Sequence, residues 1–291
     1  MKKITFILSI CLLLALSSCN LRTPKAEIKI SGEVITNEYK DLKGISLKVR
    51  DIYLKNDDNK KAIINVFPAT SKLITITAQS TLFNYINITS DNNKIGISGG
   101  KFEKYVTNDV IINVYGYDLN VYDFDNVEAN IDVKCSNTSL KINLLNMGSV
   151  FLSGDNEFDN VTFSLLGASQ VNVTSLKSEN VELELSGSSS CIISGIGVEQ
   201  MKINLSGSSR AELVGNTKTL NTTLSGDSKL LDHFFNANKA YIKASGSSYI
   251  ELTVVDELDV SLSGSSKMYY SGTPIIKNQQ LSGDSKLIKN R

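Results

Sequence analysis

The chain has 291 residues, and its 30 Lys and Arg balance 30 Asp and Glu, so the formal net charge at pH 7 is zero. This balance offers no electrostatic basis for binding nucleic acid, which depends on an excess of positive charge. With one histidine, His233, and no tryptophan, the composition excludes most histidine-based metal or acid–base sites and leaves no evident aromatic platform for sugars.

Residues 1–18 have the features of a bacterial lipoprotein signal peptide. Two lysines precede an apolar run from Ile4 to Leu16, and the segment closes on Leu-Ser-Ser-Cys, ending at Cys19. This run is too short for a membrane-spanning helix, which needs about 20 apolar residues. We expect the mature chain to begin at a lipid-modified Cys19, with residues 19–27 as the lipidated cysteine and its tether.

Short strand-like runs follow in the N-terminal half, separated by turn signals such as Pro68. They are Ile45–Leu54, Ile63–Phe67, Leu73–Thr77, Asn84–Thr89, Lys94–Ser98 and Val110–Tyr115. We expect less regular β-structure here that is continuous with the downstream repeats and covers one end of their core.

The C-terminal half repeats the phrase Leu-Ser-Gly-[Ser/Asp]-Ser. From Gly167 onward its central glycines are 20, 20, 19, 20, 18 and 19 residues apart; the later ones are Gly187, Gly207, Gly226, Gly246, Gly264 and Gly283. Apolar residues alternate before and after each glycine, which predicts a half-buried strand on each side of a glycine corner. A period near 20 residues is typical of stacked repeats.

These patterns predict an all-β fold, a right-handed parallel β-helix with coils of about 20 residues, regular from about residue 130 to 291. The handedness follows from the strong preference of parallel crossovers. The remaining residues of each coil, for example Ser194–Gln200, are expected to be irregular return loops, and a short helical turn is the alternative at Leu231–Lys239. The whole of 28–291 is expected to form one domain.

Two weaker copies of the corner extend the repeat upstream. One is centred on Gly154, and in the other Asn137 takes the glycine position, which suits asparagine as the second choice for a left-handed corner. The step from Gly154 to Gly167 is only 13 residues. Either a return loop is missing there or the register slips.

The chain resembles the putative auto-transporter adhesin, head GIN domain family of bacterial lipoproteins over roughly residues 36–288. The resemblance rests on Tyr39–Leu54, on the alternation from Leu73 to Ser98, and on the repeated Leu-Ser-Gly-Ser-Ser corners. It implies a β-helical domain with no established activity.

Stacking should turn single repeat positions into columns. The position two after each glycine is serine throughout: Ser169, Ser189, Ser209, Ser228, Ser248, Ser266 and Ser285. The next position holds Arg210, Lys229, Lys267 and Lys286, together with Gln170, Ser190 and Tyr249. One interpretation is that serine satisfies the corner backbone and lysine solubilises an edge; the other is that the basic edge binds a glycan or a partner.

An enzyme is the alternative that the β-helix itself raises, because some parallel β-helices cleave polysaccharides. His233 falls in an expected return loop, and the carboxylates are not clustered as a glycosidase pair requires. We therefore predict no catalytic residue, no cofactor and no metal.

The sequence thus predicts a non-enzymatic, lipid-anchored binding or adhesion module, an outer-membrane lipoprotein in the cell envelope of a diderm bacterium. Its partners would be the membrane, through the N-terminal lipid, and a glycan or an envelope protein. Two alternatives remain: a structural protein that forms homo-oligomers through exposed solenoid ends, and a cryptic carbohydrate-active enzyme.

Overall fold

The computed structural model describes residues 27–52, 54–55, 61–100, 103–132, 139–154 and 156–290. The predicted signal peptide, Cys19, most of the tether and the corner at Asn137 lie outside these ranges. Within them the chain is almost entirely β-structure, with one 3-10 helix at Ser80–Asn84.

The strands of the N-terminal half are β1 (Glu27–Lys29), β2 (Val34–Lys40), β3 (Ser46–Arg50), β4 (Leu54–Lys55), β5 (Ala62–Phe67), β6 (Leu73–Gln79), β7 (Asn87–Ser90), β8 (Lys94–Ser98), β9 (Glu103–Tyr105), β10 (Val110–Tyr115), β11 (Val121–Asp125) and β12 (Glu128–Asp132). Those of the C-terminal half are β13 (Ser139–Leu145), β14 (Ser149–Ser153), β15 (Asn156–Leu165), β16 (Gln170–Val173), β17 (Leu176–Leu185), β18 (Ser190–Leu205), β19 (Arg210–Leu224), β20 (Lys229–Ala244), β21 (Tyr249–Leu262), β22 (Lys267–Ser271), β23 (Ile275–Leu281) and β24 (Lys286–Lys289).

From β11 onward these strands wind into a β-solenoid, in which each segment pairs in parallel with the segment one coil later. Each coil has three sides. Face A comprises the segments before the glycine corner, such as 200–205; face B comprises those after it, such as 190–193; and face C comprises the short return segments, such as 196–198. The prediction of a β-solenoid with coils of about 20 residues is confirmed.

Face C corrects the expectation of irregular return loops. In the coil of Ser194–Gln200, Ile196 and Val198 are buried and the segment pairs in parallel with the next coil. Leu231–Lys239 likewise lies within β20, so the helical turn suggested there is wrong, and His233 is in a strand rather than a loop. The physical reason is that alternate apolar residues and a neighbouring strand edge favour pairing over loop or helix.

The upstream corners also differ from those expected. Gly154 directly follows the face B strand β14, whose Leu152 is opposite Val173, so Gly154 belongs to the second corner of its coil. Asn146 occupies the position equivalent to Gly167: its carbonyl accepts from the N–H of Ala168 just as the Gly167 carbonyl accepts from that of Ser188. Asn126, one coil earlier, shares the left-handed φ of Asn146, at 56° and 62°. The short 13-residue step therefore compares two different corners.

The N-terminal half forms the end of the stack, and its coils do not follow chain order. Strands β3 and β5 lie between β11 and β12 on one side and β8 and β10 on the other. Antiparallel strands then extend the structure at this end: β6 pairs with β10, β2 with β6, and β7 with β8. Asn84, expected to begin a strand, ends the 3-10 helix instead.

A single apolar core runs through the stack. Its largest fully buried side chains include Tyr122, Phe124, Phe163 and Phe235. Cys191 is a free, fully buried thiol, and burial raises its pKa to about 12. It packs as a small hydrophobe, as the sequence predicted.

Candidate binding faces

The serine column points into the solenoid and is inaccessible to a ligand along most of its length. Ser169, Ser189, Ser209, Ser228, Ser248 and Ser266 are each at most 1% exposed. A typical member, Ser189, donates its hydroxyl to the carbonyl of Ser186 at 3.0 Å. The interpretation in which serine satisfies the corner backbone is confirmed.

The structure brings the four basic residues of the predicted edge into one column on face B. Arg210 is opposite Lys229 and Lys267 is opposite Lys286, with Tyr249 between the two pairs. All four basic side chains are exposed. In-register pairing spaces neighbouring side chains by about 4.8 Å.

The charges in this column are not equivalent. Arg210 forms an ion pair with Glu212, in which Nε and Oε1 are 2.6 Å apart. Among the described side chains, no carboxylate lies within ion-pair distance of Lys229, Lys267 or Lys286. The uncompensated positive charge therefore lies toward the C-terminal end of face B.

Two tyrosines lie beside these lysines and form a pair that the sequence reasoning missed. The rings of Tyr249 and Tyr269 have centroids 5.4 Å apart and planes inclined by 35°. Partial burial, together with the negative charge of Glu251, raises the pKa of Tyr249. The signal in the sequence was their separation of one coil plus two positions, which makes them diagonal neighbours on one face.

Face A carries a second set of polar columns that sequence reasoning also missed. Its outward residues stand three, five and seven positions before each glycine, as Glu184, Glu182 and Asn180 do before Gly187. Two adjoining depressions of about 320 and 380 Å³ lie on this face and share Asn221. A third, of about 500 Å³, follows the edge of face A beside the corners.

Charges on face A are largely compensated. Lys202 Nζ is 2.6 Å from Glu182 Oε1, and the hydrogen bond and charge of Glu182 raise the pKa of this lysine. Lys239 and Glu257 are paired at 4.0 Å. The remaining outward groups are mainly amides and hydroxyls, which suit neutral hydrogen-bonding ligands.

Metal and membrane-spanning features were sought in the same residues. Within the described part of the chain, no three His, Cys, Asp or Glu side chains converge as metal ligands do. No helix in those ranges is both long and apolar enough to cross a bilayer.

Comparisons with known proteins agree with this architecture. The model of the family described as "Putative auto-transporter adhesin, head GIN domain" matches residues 59–274. No curated protein matches the chain.

Solved structures share the fold at low sequence identity. A "putative lipid binding protein" from Parabacteroides distasonis ATCC 8503 is 16% identical, with a TM-score of 0.67, and the alignment covers 91% of this chain and 100% of that one. A "putative adhesin" from Parabacteroides merdae ATCC 43184 is 15% identical, with a TM-score of 0.61 over 91% of this chain and 99% of that one. Another "putative adhesin" from P. distasonis is 15% identical, with a TM-score of 0.62 over 91% and 100%.

Proposed function

Because the chain belongs to the putative auto-transporter adhesin, head GIN domain family, we propose that it is a non-enzymatic adhesion module of the cell envelope that binds acidic glycans through face B. The observation that carries this proposal is the column of Lys229, Lys267 and Lys286, exposed and without a carboxylate partner among the described side chains. Lipid attached to Cys19 would hold the module at the outer membrane.

The spacing of the lysines supports cooperation between them. Lys267 and Lys286 are on adjacent strands, about 5 Å apart, and Lys229 is two strands from Lys267, about 10 Å. These separations are comparable with the Debye length of about 8 Å at physiological salt, so the fields overlap. Such a column attracts polyanions in a salt-sensitive way.

The tyrosine pair favours a sugar over other anions. Tyr249 lies in the same column as the lysines, and Tyr269 is diagonal to it. An aromatic ring can pack against the apolar face of a pyranose while the neighbouring ammonium groups bind its carboxylate or sulfate. Arg210 contributes less, since Glu212 compensates its charge.

The test replaces Arg210, Lys229, Lys267 and Lys286 together with glutamine. We expect the variant to elute from a heparin matrix at a clearly lower salt concentration than the parent, with an unchanged melting temperature, because all four side chains are exposed.

The matched control removes four exposed lysines from the N-terminal half: Lys40, Lys43, Lys72 and Lys94, each changed to glutamine. It alters net charge by the same amount but leaves face B intact. If control and test variants elute together, bulk charge accounts for retention and the face B site is wrong.

A further inference from the structure

Face A contains a cleft built by three neighbouring strands. Asn221, Tyr241 and Asp259 are opposite one another on β19, β20 and β21, and Thr223, Lys243 and Ser261 form the parallel column beside them. The space they enclose is about 380 Å³. Pockets for small ligands range from about 300 to 1,000 Å³.

Tyr241 is the aromatic anchor of this cleft. Its side chain is 36% exposed, and its hydroxyl is 3.5 Å from Glu257 Oε1, a long hydrogen bond to the paired carboxylate of the next coil. The ring is therefore placed at the floor of the cleft with part of its surface open to solvent. Partly exposed tyrosine rings of this kind supply much of the contact energy in binding sites.

The chemistry around the ring selects for uncharged, hydroxyl-rich ligands. The cleft has one ammonium group, on Lys243, and one carboxylate, on Asp259, so its formal charge is zero. Asp259 is held in place by a 2.6 Å hydrogen bond from the amide of Asn278. Together with the hydroxyls of Thr223 and Ser261, these groups offer both donors and acceptors.

The cleft does not end at Asn221. The adjoining depression of about 320 Å³ continues along the axis past Gln200 and Asn180 to Asn160, where the Asn180 amide donates to Asn160 Oδ1 at 3.1 Å. From Asn160 to Asp259 the surface crosses six strands of face A, roughly 24 Å at about 4.8 Å per strand. A site of this length fits a polymer rather than a single sugar.

We propose that face A binds an uncharged glycan chain along the solenoid axis, with one sugar ring packed on Tyr241. The site is separate from the basic column of face B and does not depend on it. Amide and hydroxyl columns would hydrogen-bond successive sugars, and binding should be insensitive to salt because no net charge is involved.

The test is affinity electrophoresis of the full chain in gels containing dextran, laminarin, mannan, galactomannan or xyloglucan. We expect at least one of these uncharged polysaccharides to retard the parent, and Tyr241→Ala to bind it about tenfold more weakly or worse. Tyr241→Phe, which keeps the ring, should stay within about twofold of the parent.

Two further variants separate this proposal from the one for face B. Tyr85→Ala removes a tyrosine of equal exposure, 37%, from outside face A, and should bind like the parent. The quadruple glutamine variant of face B should lose heparin retention and keep binding to the uncharged polysaccharide. If none of the five polysaccharides retards the parent, or if Tyr241→Ala binds as the parent does, the face A site is wrong.

Discussion

At the scale of single residues, two buried threonines in β19 show how stacking decides the value of a hydroxyl. Thr217 is 1% exposed and donates to the carbonyl of Thr219 at 3.2 Å. Thr222 is 3% exposed, and its Oγ1 has no hydrogen-bond partner among the described residues. Its neighbours in the column are Ile203 and Ile242, so an apolar side chain suits this position better.

We expect Thr222→Val to raise the free energy of unfolding by about 1 kcal/mol, because valine has nearly the same shape and removes an unsatisfied buried hydroxyl. The matched control, Thr217→Val, should lower it by about 1 kcal/mol, since the carbonyl of Thr219 loses its donor. Urea unfolding of both variants measures the two changes. Shifts of the same sign would contradict the assignment.

At the scale of the element, the corner is the unit that limits which residues the coil accepts. Gly226 has a φ of 75°, and a Cβ placed there would lie 2.6 Å from the carbonyl oxygen of Gly207 in the preceding coil. The same geometry recurs at Gly207, where the close atom is the carbonyl oxygen of Gly187 at 2.7 Å. Close backbone stacking as well as φ therefore requires glycine.

Gly226→Val should destabilise the protein by at least about 1–3 kcal/mol, the usual cost of a strained left-handed residue, with the backbone contact adding to it. Asp227→Ser restores the residue that neighbouring corners carry and should change stability by less than about 0.5 kcal/mol. Thermal unfolding of the pair is the measurement. Equal melting temperatures would disprove the role of the corner.

The elements that could be predicted from sequence are those with a strong local signal. The bounds expected for Lys94–Ser98 and Val110–Tyr115 agree with β8 and β10, because apolar alternation alone defines these strands. Face C was missed because its segments are three residues long, too short for a period to show. The corner at Asn146 was missed because it lacks the Leu-Ser-Gly phrase that marks the later coils.

The candidate sites divide in the same way. Arg210, Lys229, Lys267 and Lys286 were predicted to share a column, since they have one offset from the glycines, and they do. The Arg210–Glu212 ion pair and the cleft at Tyr241 depend on side-chain direction and on neighbours in other coils. Repeat offset places a residue on a face, but it does not say which partners compensate its charge.

At the scale of the whole molecule, the fold and the proposed anchor are separable. The described core begins near Ile30, beyond Cys19 and the tether. We expect Cys19→Ala to release the protein from membranes while leaving its melting temperature unchanged, because attachment depends on covalent lipid rather than on the solenoid. Fractionation of cells after a high-salt wash measures the release, and a mutant that stays in the membrane pellet would contradict the anchor.

The inverted order of the first coils has a consequence for how the chain folds. Most strands of the solenoid pair with a segment one coil away in sequence, so those coils can be added one after another as the chain appears. Ser46, by contrast, is opposite both Lys94 and Val121. The N-terminal end therefore cannot close until residues beyond 120 have been synthesised, and contacts so distant in sequence form slowly. Until then its strand edges and apolar residues stay open to aggregation, so this end is where folding depends most on protection by chaperones.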